Sequence, residues 1–121
     1  MQPLEKTKLK EFLERFENFK DCEFRSFEIL NPVTFKLTFG VQDKAREFNW
    51  ISLELEFNGV NDTRLLEEKK MSLVDMSDGI SIVLDNNNFG FGIGVCENIS
   101  CITNSSYYIL SETIKYKEGD F

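Results

Sequence analysis

Side chains able to do chemistry are few in this sequence. Histidine is absent, which excludes Ser-His-Asp and Cys-His nucleophile systems, an imidazole general base and His-ligated metals. The cysteines are Cys22, Cys96 and Cys101. Cys96 and Cys101 lie five apart, which is not the spacing of a zinc knuckle, and only one other Cys is present to complete a site. The three cannot all pair within one chain, so they read as reduced, structural thiols. Asp85-Asn86-Asn87-Asn88-Phe89-Gly90 begins like a calcium loop, but Phe89 stands where the fifth ligand belongs and Cys96 where a bidentate Glu should be. Glu54 and Glu56 are two apart, which would set two carboxylates near each other as in a glycosidase, yet the solvated face of one strand produces the same pattern. Gly90-Phe91-Gly92-Ile93-Gly94 resembles a phosphate-cradling loop, but the dinucleotide fingerprint needs Gly at 95, where Val95 stands. The expectation is therefore no enzyme, no cofactor and no metal site.

Charge placement says more. The chain carries a net charge of −7. From Met71 to Ile114 there is no Lys or Arg, against Asp75, Asp78, Asp85, Glu97 and Glu112. A net acidic chain with no basic tract argues against nucleic-acid binding, which rests on neutralising phosphates. It favours steered association with a protein of basic surface. Asp75, Asp78, Asp85, Asn86, Asn87, Asn88 and Glu97 are the candidate partner-binding residues, on loops in this acidic segment. Asp21 and Glu11 lie outside it and are expected to matter less.

The elements that must position these residues follow from periodicity. Leu9, Phe12, Leu13, Phe16 and Phe19 form one helical stripe, with Pro3 suited to the first turn and an exit near Asn18 to Asp21. The period then becomes two. Cys22, Phe24, Phe27 and Ile29 alternate with one slip, the mark of a bulge, and Asn31-Pro32 turns the chain. Val33, Phe35, Leu37 and Phe39 follow, with Gly40 ending the run and 41–47 a polar loop. Ile51, Leu53, Leu55 and Phe57 form another inward row. Residues 58–77 are the least readable; Leu65-Leu66 and Met71 to Met76 suit short strands or one irregular helix, with strands preferred. Ile80, Ile82 and Leu84, the turn at Asp85 to Asn88, and Phe89, Phe91, Ile93 and Val95 read as a hairpin. A last, central strand is expected from about Tyr107 to Tyr116. The glycines at 90, 92 and 94 occupy one face of a strand, each at about 0.5–1 kcal/mol relative to Ala. Close approach of another backbone or a large ring, from within the chain or from a partner, would explain them.

Together these elements predict a single α+β domain over residues 1–121, with an N-terminal amphipathic helix packed on one antiparallel, curved sheet of about six strands. The start of the chain lacks the apolar run of a signal peptide, and no apolar stretch is long enough for a membrane span. The expected address is the cytosol, where the sequons at Asn61, Asn98 and Asn104 would stay unmodified.

The stretch Leu53-Glu54-Leu55-Glu56-Phe57-Asn58-Gly59-Val60-Asn61-Asp62-Thr63-Arg64-Leu65, with Ser77-Asp78-Gly79-Ile80-Ser81-Ile82 and Ser105-Ser106-Tyr107-Tyr108-Ile109, resembles small bacterial α+β proteins, some of them immunity proteins. Such proteins bind and block a toxin made by the same cell. The resemblance covers roughly the C-terminal half and implies a toxin partner, such as a basic nuclease. It transfers no functional residue. The leading reading is a non-enzymatic immunity or inhibitor protein that masks a basic partner. The alternative is a small-molecule carrier whose 12 phenylalanines line a pocket; a structural or adaptor domain with a flat edge is a third.

Overall fold

The computed structural model describes residues 1–65 and 73–121. The chain starts with a two-residue strand, β1 (Gln2–Pro3), and the helix α1 (Leu9–Arg15), flanked by single 3-10 turns at Lys6–Lys8 and Glu17–Phe19. Strands β2 (Glu23–Asn31), β3 (Thr34–Asp43), β4 (Asn49–Asn58) and β5 (Asp62–Arg64) follow. After the segment 66–72 come β6 (Ile80–Asp85), β7 (Asn88–Ile93), the short helix α2 (Ile99–Thr103), β8 (Tyr108–Ser111) and β9 (Thr113–Asp120). The parts of the sequence reading that fall on Leu66 and Met71 lie outside the described residues. Leu73 to Gly79 is turn and bend rather than strand.

The strands form two antiparallel sheets, not one. The first has the order β1-β9-β4-β3-β2 and the second β5-β8-β7-β6. The expectation of an α+β domain with a helix on a single six-stranded sheet is thus corrected to a two-sheet, mostly β architecture. The reason lies at one corner. The last predicted strand breaks at Glu112, so Tyr108–Ser111 pairs in the second sheet and Thr113–Asp120 in the first. Its neighbour makes the same move at Gly59: β4 pairs with β9, and β5 pairs with β8. The Glu112 amide donates to the Asn58 carbonyl at 3.0 Å, and the Asn61 amide donates to the Leu110 carbonyl at 3.0 Å. Strands that switch sheets at a bend are how packed sheets turn a corner. Alternation of apolar residues is blind to such a break, because both halves keep an inward row.

Those inward rows meet in the core. Leu37 and Phe39 of β3 and Leu53, Leu55 and Phe57 of β4 are fully buried, in one core cluster with Ile82, Phe89, Phe91 and Ile109 of the second sheet. Phe57 meets Phe91 edge-on with centroids 5.1 Å apart. Each such ring removed from water contributes about 1.5–3 kcal/mol. The predicted helical stripe is also buried at Leu9, Phe12, Phe16 and Phe19, and Phe12 lies 5.0 Å from the Tyr116 ring of β9. The α-helix itself is short because the backbone turns left-handed at Glu17, Asn18 and Phe19 (φ 53°, 56° and 60°). That turn drives Phe19 against Phe39, centroids 5.3 Å apart, and its burial offsets the strain.

Three boundaries differ from expectation. The bulge in β2 falls between Phe24 and Ser26, as the slip in alternation predicts. Val33, however, sits in the β2–β3 turn and is 51% exposed, because Asn31 Oδ1 accepts from its amide at 3.0 Å and ends the turn there. Gly40 does not stop β3, which runs on to Asp43. Its missing Cβ instead leaves room for Phe121, whose ring would lie 2.8 Å from a side chain there. At the far end of β7, Gly94 (φ +93°) breaks the row before Val95, which is 72% exposed rather than inward.

Candidate protein-binding surface

The acidic residues singled out from sequence fall into two groups at opposite ends of the β6–β7 hairpin. Asp85 pairs with Asn88 across the turn, and Asn86 and Asn87 take left-handed conformations (φ 47° and 69°). This is a two-residue hairpin turn of the kind Asn favours. Asp85, Asn86 and Asn87 are exposed and Asn88 half-buried. Lys6 reaches the same turn, donating to the Asn87 carbonyl, so this end carries a cation of its own.

The other end holds Asp75, Asp78 and Glu97, all exposed. Two contacts assemble it. The Asp21 amide donates to the Met76 carbonyl at 2.9 Å, and the Gly94 amide to the Gly79 carbonyl at 2.8 Å. Gly79 adopts φ +72°, and a Cβ there would stand 1.9 Å from the Asn18 carbonyl oxygen. Only glycine admits that approach. The chain at 20–23 is thereby brought against the 73–79 turn, and Asp21, Glu23 and Asp75 line one cleft of about 360 Å³. Asp78, with Lys20 and Cys96, lines the adjoining one. Asp21, held apart from the acidic segment in the sequence reading, therefore belongs beside Asp75. Nothing in the local sequence marks it; the signal is tertiary.

The electrostatics of the rim differ from those of the interior. Glu23 is paired with Arg25 at 3.5 Å, whereas Asp21, Asp75, Asp78 and Glu97 have no ion pair among the described residues. Asp75 is held below the usual carboxylate range because its Oδ1 accepts from the Ser77 amide at 2.9 Å. Inside, Asp43 is fully buried. Arg15 grips it with both Nε and Nη2 at 2.8 and 2.7 Å, and the Ala45 amide donates to it at 2.9 Å. The Arg15 guanidinium also bonds Glu118, and Arg46 approaches Asp43 at 3.3 Å. Arg15 lowers the Asp43 pKa and Asp43 raises that of Arg15. This network ties α1 to the first sheet.

The cysteines depart from expectation. Cys96 and Cys101 are joined by a disulfide, and only Cys22 is a free thiol. Burial pushes the Cys22 pKa up to about 12. The two partners meet because Asn98 caps α2, its Oδ1 accepting from the Cys101 amide at 2.9 Å, which folds Cys101 back over Cys96. The glycine strip is explained from within the chain: Cβ atoms at Gly90 and Gly92 would stand 2.6 Å from Ile99 Cδ1 and 2.9 Å from Ile102 Cδ1 of α2. Among the described residues no group of His, Cys, Asp and Glu could hold a metal ion. No helix there is long and apolar enough to cross a membrane. The phenylalanines pack on one another, as Phe16, Phe19, Phe39, Phe57, Phe89 and Phe91 are all fully enclosed. The cleft of about 350 Å³ beside α1 is lined by Glu5, Lys8, Glu11 and Arg15 as much as by Phe12. No family model, curated protein or solved structure matches the chain.

Proposed function

We propose that this is a non-enzymatic protein-binding module of the immunity or inhibitor type, which uses the acidic rim at the Asp75 end to cover a basic surface on its partner. The observation that carries the reading is the convergence of Asp21 and Asp75 on one cleft, with Asp78 lining a second at the same end of the hairpin and no ion pair on any of the three among the described residues. Side chains on turns lose little entropy on pairing, and a rim whose acids outnumber its one lining cation, Lys20, steers a cationic partner toward it. The absence of histidine and the engagement of Asp43, Arg15 and Glu118 with one another both favour binding over catalysis. The far turn, with Lys6 on Asn87, contributes less to such an interface.

The test is a pull-down of the products of neighbouring genes with the wild-type chain and with a D21K/D75K/D78K variant. Capture of a basic protein by wild type alone supports the reading. Equal capture by both forms, or capture of acidic proteins only, would overturn it.

A further inference from the structure

We propose that the Cys96–Cys101 bridge is a redox-sensitive staple that holds α2 over the glycine strip of β7. Helix α2 has five residues (Ile99–Thr103), far fewer than a helix needs to persist alone. It is held instead by its Asn98 cap, by Ile99 and Ile102 seated on Gly90 and Gly92, and by the bridge. The Cys96 side of the bridge is anchored to the second sheet. The Cys96 amide donates to Ser81 Oγ at 2.8 Å, and that hydroxyl donates to the Gly94 carbonyl at 2.6 Å. The Gly94 amide in turn reaches the Gly79 carbonyl of the acidic turn. One covalent link therefore couples a marginal helix to a fixed strand.

The bridge is open to exchange. Cys101 is exposed and Cys96 half-buried, whereas the Cys22 thiol is buried and its pKa is about 12, which keeps it from competing as a thiolate. A low-molecular-weight thiolate attacks Cys101 Sγ, the Cys96–Cys101 bond breaks, and Cys96 leaves as a thiolate that takes up a proton. A second thiolate attacks the mixed disulfide, releases Cys101 as a thiol after protonation, and leaves as the oxidised reductant disulfide. Two electrons pass from the reductant to the protein. Once released, α2 is left with its cap, its own short hydrogen bonds and the two isoleucine contacts on Gly90 and Gly92. The staple stands whether or not the acidic rim binds a partner.

The experiment compares the full chain in three forms: oxidised with glutathione disulfide, reduced with dithiothreitol, and a C96S/C101S variant. Amide hydrogen exchange reads the Ile102, Asn104 and Ser105 amides, which bond Asn98, Ser100 and Ile102 carbonyls, against Leu37 and Leu55 in the first sheet. The expected result is exchange roughly tenfold faster at the first set in the reduced and variant forms, with Leu37 and Leu55 unchanged. Identical exchange in all three forms would refute the device. So would acceleration in both sheets together, which would make the bridge a staple of the whole fold. Failure of Cys96 and Cys101 to become blocked to alkylation under glutathione disulfide would refute it as well.

Discussion

Asp43 is the residue whose role most exceeds its appearance in the sequence. Followed by Lys44 and Arg46 it looks like part of a polar loop, yet it ends the inward row Phe35, Leu37, Phe39, Val41 of β3 and is fully buried. Removing one member of a buried ion pair leaves the other desolvated and unmatched, so Asp43→Ala should cost on the order of 3 kcal/mol in urea unfolding. Replacing Asp43 and Arg15 together with apolar residues of similar volume should cost less than the single change. The pH dependence has a definite sign. Arg15 holds the folded-state pKa of Asp43 below its unfolded value of about 3.9. Its contribution is therefore fully present above that value and is lost as pH falls through the folded pKa. Urea midpoints followed from neutral pH down to about pH 2 should fall further for wild type than for Asp43→Asn. Parallel curves for the two would show that the pair adds nothing to acid sensitivity.

At the scale of elements, glycines decide how segments meet. Gly79 and Gly94 both have positive φ, but only Gly79 faces a backbone oxygen, at 1.9 Å from an added Cβ; Gly94 has nothing within 4 Å. Gly94→Ala should therefore cost only the left-handed penalty of about 1–2 kcal/mol. Gly79→Ala should cost clearly more, because the 16–21 turn and the 73–79 turn must separate. Thermal unfolding of the two variants checks the order, and equal losses would mean that the turn yields without strain. The shortness of α1 has a similar origin. The stripe Leu9 to Phe19 is what a longer helix would display, but the left-handed run at Glu17 to Phe19 places the last ring where a straight helix could not. A hydrophobic stripe reports which residues are buried, not whether the backbone between them stays helical.

For the molecule as a whole, the cross-sheet contact of Phe57 and Phe91 joins two layers that share no strand. Phe91→Ala should destabilise by about 3–5 kcal/mol, read as a lower denaturant midpoint, and a loss below about 1 kcal/mol would show that the second sheet stands without it. The charge distribution is the other whole-molecule property. Under the binding reading, Asp21→Lys and Asp75→Lys should slow association with a basic partner, and Asp85→Lys, at the far turn beside Lys6, should slow it much less. Asp85→Lys should leave stability within about 0.5 kcal/mol of wild type, since the site is exposed. Asp75→Lys gives up the Ser77 amide bond and Asp21→Lys places a long side chain at φ 57°. Each of these should cost about 1 kcal/mol, and association rates are to be compared on folded protein. Wild-type association should slow as salt shortens the Debye length from about 10 Å at 0.1 M. Stopped-flow or surface-capture kinetics across a salt series would separate these outcomes, and equal slowing by all three variants would locate the interface elsewhere.

What the amino-acid order determined by itself is local: inward rows such as Phe35 to Phe39 and Ile51 to Phe57, the bulge after Phe24, the Asp85–Asn88 turn and the lack of imidazole chemistry. Each follows from side-chain type and from a period of two or 3.6 residues, which neighbours in the chain suffice to express. Tertiary structure alone decided the division into two sheets at Gly59 and Glu112, the burial of Asp43 by Arg15 and the meeting of Asp21 with Asp75. These depend on contacts between residues far apart in sequence, or on a single backbone bend. A bend that preserves alternation leaves no trace in hydrophobic pattern, and an acid drawn inward by a distant arginine looks, residue by residue, like an acid left in water.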